Sequence, residues 1–166
     1  MNRTGAVPVE KYMSPNAPAR PVSAVRTKTN ASALTGYLLR AATAAALIVD
    51  AVVHWRDAPF YDSSAQALSQ GELFRIQAVV AVVVAVAVLV WPRRGVWVIA
   101  FLVAASAVGA VVLYTYVNVG SLAGLPNMYE PSWSPSGKAL SAIAEGAGAL
   151  LALAGLAWSI HRRRAG

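Results

Sequence analysis

Asp50 and His54 stand four positions apart at the close of an apolar run, a spacing that puts a carboxylate and an imidazole on one face of a helix. Held together, such a pair can pass a proton, form an ion pair or offer ligands to a cation. Glu72, Arg75 and Gln77 open a second apolar run, Tyr114 lies near the close of a third, and Glu145 interrupts a fourth. A charge within an apolar span costs about 3 kcal/mol unless it pairs or reaches water, so such groups face a bundle interior and mark candidate functional positions.

Metal and catalytic chemistry are thinly supplied. The chain has no Cys and 2 His, of which His161 heads the cationic run His161-Arg162-Arg163-Arg164. Paired-histidine haem and thiolate centres are thereby excluded within one chain. A metal would have to draw on Asp50, His54 and Glu145 or Glu72, and one imidazole is slender support for it, so no resident metal or cofactor is expected. There is no phosphate loop, Gly-rich dinucleotide turn, zinc-binding His-Glu helix or nucleophile elbow. Ser106 and Ser141 have no His in their own runs, so no catalytic residue is expected either.

Composition decides which elements hold these residues. Of 166 residues, 57% are hydrophobic and 13% charged, a balance for which a water-soluble fold of this length has no interior. The net charge of +7, from 14 Lys and Arg against 7 Asp and Glu, would suggest nucleic acid on a soluble protein. Here the basic residues gather at the ends of apolar runs, where orientation and anionic head groups account for them, and no nucleic-acid partner is expected.

Residues 34–53, 73–91, 96–117 and 139–160 are apolar over about 20 residues each, enough to cross ~30 Å of hydrocarbon. In lipid every backbone N–H and C=O must pair internally, which makes each run a helix; barrel strands would alternate and be about half as long. The expected fold is all-α, a four-helix transmembrane bundle over 33–161. A disordered tail over 1–32, carrying Pro8, Pro15, Pro18 and Pro21, precedes it, and a cationic tail over 162–166 follows. A cleaved leader does not fit the first run, because Asp50 stands where the small-residue cleavage site would fall.

The basic residues of the N-terminal segment, Arg93 and Arg94 in the tight turn, and Arg162 to Arg164 all fall on one side of four spans, leaving Arg56, Arg75 and Lys138 for the other. The positive-inside rule then places both termini in the cytoplasm. Tyr37, Trp91, Trp97 and Trp158 fall near the inner interface and Trp55, Phe74, Tyr114 and Tyr116 near the outer one, as aromatic belts should. Arg40, near the inner end of the first span, can snorkel.

With that topology, Asp50 and Gln77 lie about 6 Å, Tyr114 about 4 Å and Glu145 about 9 Å inside the outer boundary, at ~1.5 Å per residue. The expected site is an outward-opening polar pocket in which Arg75 partners Asp50 or Glu145 and His54 sits at the mouth; snorkelling, or an ion pair that only sets helix register, is the competing account. Small residues at spacing four, Ala144, Gly148 and Ala152, with Ala142 and Gly146 beside them, and Ala105 with Gly109 and Ser106 with Ala110, suggest close packing, tightest in the fourth span. Asp62 or Ser63 could cap a short interfacial helix reaching Leu68. The segment Leu125-Pro126-Asn127-Met128-Tyr129-Glu130-Pro131-Ser132-Trp133 could cover the bundle or meet a partner.

A His-Trp pair closing the first span, Gly71-Glu72-Leu73-Phe74-Arg75-Ile76-Gln77 opening the second, Pro-Arg-Arg in the turn and Leu-Pro-Asn-Met-Tyr-Glu-Pro in the last loop carry a resemblance. Over residues 34–160 the chain resembles small four-span integral membrane proteins of high-GC Gram-positive bacteria, and is similar in outline to the DoxX-like four-helix proteins. The resemblance implies a plasma-membrane address and transfers no functional residue. The expected role is that of a non-enzymatic accessory or binding subunit, partnered by the lipid bilayer and by a larger membrane complex or a second copy. The alternatives are a small proton-coupled transporter using Asp50, Arg75 and Glu145, and a quinone-linked oxidoreductase subunit.

Overall fold

The computed structural model describes residues 22–63, 67–121, 124–133 and 137–164, the side chains of 22–30 excepted. Four helices follow in order: α1 (Val22–Asp57), α2 (Gln70–Val90), α3 (Arg94–Tyr116) and α4 (Lys138–Arg164), with a 3₁₀ turn at Ala58–Tyr61. Among the described residues four helical segments are long and apolar enough to cross a membrane: Ala31–Tyr61, Gln70–Val90, Arg94–Tyr116 and Lys138–Arg164.

The chain divides into two compact units, residues 1–33 and 34–166. In the first, residues 22–33 are helical, which corrects the expectation of a disordered tail reaching residue 32. The tail's prolines all lie at or before Pro21, so nothing after it blocks i→i−4 hydrogen bonding, and Pro just ahead of a helix suits its first turn. Residues 1–21 of the expected tail lie outside the described residues. At the other end α4 runs through Arg164, so the first part of the expected cationic tail is helical, its arginines extending from a helix end whose dipole favours positive charge.

The second unit is an up-and-down bundle, and its contacts give the directions. Trp158 comes close to Gly36, Ala46 and Ala104 approach Gly148, and Trp97 lies on Gly155. Gln77 reaches Asp50 and Phe74 meets His54. In each pair of helices one number falls as the other rises, so α1 runs antiparallel to both α2 and α4, and α3 antiparallel to α4. The bundle therefore has a turn end, at residues 91–93, and a loop end, where the α1–α2 and α3–α4 connections lie.

Packing is inverted relative to a water-soluble bundle. The interior is largely alanine, with Ala44, Ala51, Ala78, Ala81, Ala85, Ala100, Ala104, Ala149 and Ala152 buried, while Ile76, Val79, Val83, Val86, Val90, Leu102, Ile143 and Leu150 are exposed. Lipid gives no hydrophobic drive between helices, so small residues let backbones approach and bulky ones face outward. The stripe Ala144, Gly148 and Ala152 is buried as its spacing suggested. Gly146 and Gly109 instead have open space beside them, while Ala105 of the α3 stripe packs against the core. α4 shares with α1 the highest buried fraction of its span, 39% in each.

Two expectations fail for local reasons. Trp97 is buried at 3% exposure rather than sitting at an interface, because Gly155 leaves a hollow that its ring fills. Asp62, Ser63, Ala67 and Leu68 are not helical, and residues 64–66 of the expected interfacial helix lie outside the described residues. Ser69 caps α2 instead: its hydroxyl accepts from the Glu72 N–H at 3.0 Å, while its own N–H donates to Glu72 Oε2 at 2.7 Å. This reciprocal pattern satisfies two otherwise orphaned donors.

Candidate functional site

Helix α1 brings Asp50 and His54 to the bundle interior through its four-residue spacing, and α4 brings Glu145 to meet them. Asp50 is 1% exposed, Glu145 1% and His54 9%. His54 Nδ1 lies 3.1 Å from the Asp50 carbonyl oxygen and 2.8 Å from Asp50 Oδ1. Only the carbonyl is aligned with the ring N–H, and Oδ1, though nearer, receives no in-line hydrogen bond. Gln77 Nε2 on α2 donates to Asp50 Oδ2 at 3.1 Å. His54 Nε2 stands 3.8 Å from Glu145 Oε1, and the Asp50 and Glu145 carboxyls are themselves neighbours, with one oxygen of each within 4.8 Å of the other. Both Glu145 oxygens are buried without a hydrogen-bond partner.

A cavity of about 340 Å³ opens beside this cluster at the loop end. Val53, His54, Asp57 and Tyr61 line it from the α1 side, and Gln70, Leu73, Phe74 and Gln77 from α2. Ser106, Ala107, Ala110, Val111 and Tyr114 line it from α3, with Ser141 and Lys138 from α4. Phe74 forms edge contacts with both His54 and Tyr61, at centroid distances of 4.9 and 5.1 Å, and so stiffens one wall. Asp50 and Glu145 are not in the lining, whereas His54 and Gln77, both in contact with Asp50, are. Thr43, Thr115 and Ser141, also buried, return their hydroxyls to carbonyls of their own helices and add nothing to the cluster.

The α3–α4 connection covers the mouth, and Met128 and Glu130 complete the lining. The Glu130 N–H donates to the Tyr114 carbonyl at 3.0 Å. Lys138 Nζ donates to the carbonyls of Glu130 and Ser132 and lies 5.2 Å from the Trp133 ring centroid, so the first residue of α4 anchors the loop that precedes it. Asn127 Nδ2 donates to Asn118 Oδ1 at 3.1 Å, closing the loop's base. Gly137, at φ +112°, has Asp57 Oδ2 where a Cβ would stand, so this position excludes other residues both by conformation and by space.

Of the sequence-derived candidates, Asp50, His54, Gln77 and Glu145 come together, and Tyr114 lines the adjoining cavity. Glu72 is exposed and engaged in the α2 cap. Arg75 does not reach Asp50 or Glu145: it pairs bidentately with Asp62, at 2.8 and 2.6 Å. That guanidinium holds the Asp62 carboxyl below its ordinary range. The correction has a simple cause, since Gly71 has no side chain to obstruct Asp62 and an exposed partner spares Arg75 the cost of burial. Tyr61, Phe74, Glu130 and Lys138 also belong to the site's surroundings, beyond the candidates that the sequence supplies. Lys138 opening a span beside an aromatic loop is the available signal.

No protein-family profile, curated protein or solved structure matches this chain.

Proposed function

We propose that this is a multi-pass plasma-membrane binding protein with both termini cytoplasmic, whose cavity at the loop end opens outward and takes a small amphipathic ligand. The observation that carries this reading is the cavity itself: about 340 Å³, walled by all four helices, roofed by Met128 and Glu130, mostly apolar and edged by a few polar groups. Ligand sites have this composition, an apolar body with a few placed polar atoms. Orientation rests on Arg93, Arg94 and Arg162 to Arg164 lying at the turn end. A reporter inserted after Arg164 is expected to be cytoplasmic in intact cells; a signal from the opposite side would reverse the pocket's orientation.

Native mass spectrometry of the protein released from mild detergent tests the binding role. The wild type is expected to carry a small molecule at near-stoichiometric level. Ala110→Phe, which puts a ring into the cavity, is expected to lose it at least tenfold while remaining monodisperse. A lipid or quinone in the wild type identifies the ligand class, and a stoichiometric polypeptide marks the accessory role beside a larger complex. A variant that keeps the full load refutes the cavity as the site. Proton-coupled transport is the second reading, favoured by two carboxyl groups and an imidazole lying buried within 4.8 Å of one another beside the cavity.

A further inference from the structure

We propose that Asp50, His54 and Glu145 form a site for one divalent first-row transition ion within the bundle. The three residues come from two helices, all are buried, and one potential ligand atom from each lies within 4.8 Å of the others. Glu145 is the decisive member. Its side chain is 0% exposed, neither of its oxygens meets an N–H or hydroxyl donor, and its near neighbour is the second carboxyl, that of Asp50. Two buried carboxyl groups side by side without a cation are costly in protein and more so at membrane depth.

The imidazole faces it in a posture suited to coordination. His54 Nδ1 is turned toward the Asp50 carbonyl and carboxylate, which places the ring proton there and leaves the Nε2 lone pair directed at Glu145. Two acceptors then confront each other across 3.8 Å. That gap exceeds the ~2.7–3.2 Å of a hydrogen bond. It is close to the roughly 3.4 Å between two ligand atoms of a tetrahedral ion with bonds of ~2.1 Å. Nε2 and the Glu145 carboxylate are the direct ligands. Asp50, held by Gln77, fixes the tautomer as the carboxylate behind a metal-bound histidine does, and a small shift of its side chain makes it a third ligand.

Charge and access agree with an ion. Two carboxylates and a neutral imidazole carry −2, which a divalent cation cancels, leaving a neutral assembly in a low-dielectric interior. Mixed nitrogen and oxygen donors favour zinc, iron or manganese over magnesium and calcium, which prefer oxygen alone. His54 lines the cavity, so remaining coordination positions can be filled from that side. The site goes beyond the ligand-binding proposal and stands whether or not the cavity holds an organic molecule.

The test uses the full chain in detergent micelles, stripped with chelator, then titrated with Zn²⁺ or Mn²⁺ alone by calorimetry and with Co²⁺ by visible absorption. One ion per chain is expected, with a Co²⁺ ligand-field band, and excess Mg²⁺ should not displace it. Glu145→Gln preserves shape and is expected to weaken binding at least tenfold and abolish the band. Asp50→Asn is expected to weaken it tenfold to a hundredfold, the range seen when an orienting carboxylate is lost. His161→Ala, on an exposed terminal turn, should change nothing. Binding as strong in Glu145→Gln as in the wild type, or displaced equally by Mg²⁺, overturns the proposal. Should His54→Ala fail to fold, the isosteric Glu145→Gln still decides the matter.

Discussion

His54→Leu is expected to lower the thermal unfolding midpoint of the metal-free protein in micelles, whereas Glu145→Leu is expected to raise it. Both substitutions remove a buried polar group from the same cluster, so the opposite signs follow from what each leaves behind. His54 stands against Asp50, its Nδ1 2.8 Å from Oδ1. Its loss leaves a carboxylate 1% exposed short of a partner beside the Gln77 amide, which costs about 1–3 kcal/mol. Glu145 has no N–H or hydroxyl donor to abandon, and its loss also relieves the crowding of two carboxyls. Replacing it by an apolar side chain of similar volume removes a desolvation penalty of ~1–3 kcal/mol. A fall in both variants would show that Glu145 has a stabilising partner, and would count against the unpartnered carboxylate on which the ion site depends.

Gly155→Leu should be among the most damaging single changes in the bundle, while Gly146→Leu, nine positions earlier on the same helix, should be tolerated. A Cβ at Gly155 would press against three carbons of the six-membered ring of Trp97, closer than real Cβ contacts come, and the indole has nowhere to go because it is itself 3% exposed. Overpacking a filled interior costs about 1–3 kcal/mol and forces side chains off their rotamers. At Gly146 nothing lies within 4 Å, so a leucine there extends into lipid and should shift stability by less than about 0.5 kcal/mol. Thermal unfolding of both variants, with Trp97→Ala added to the first, completes the comparison. The double variant should recover part of the loss, as expected for residues in direct contact; equal stability of the two leucine variants would contradict the packing at Trp97.

How far the sequence foretells this differs between the frame and the site. Spans two and three, expected at 73–91 and 96–117, appear as Gln70–Val90 and Arg94–Tyr116, because length and hydropathy are one-dimensional properties. The Asp50–His54 pair is legible from its four-residue interval, and counting depth along each helix sets Glu145 at a similar level. The expectations for Arg75 and Glu72 fail for a common reason: both are satisfied by residues of the connection just before α2, and irregular backbone leaves no period to read. One signal is nonetheless present. Ser69-Gln70-Gly71-Glu72 has the spacing of a reciprocal helix cap, which accounts for Glu72 before any membrane argument is needed. Position alone assigns Trp97 to an aromatic belt. Only the partnering of Gly155 across the bundle reveals it as an interior residue.

The seam between α3 and α4 gives the molecule a sidedness. The cavity's α3 lining ends at Ser106. Toward the turn end, Ala104 meets Gly148 in ordinary van der Waals contact and Trp97 lies flush on Gly155. Along this seam the chamber is therefore shut toward the turn end, and the α3 and α4 surfaces that part around it at the loop end meet as a closed joint below.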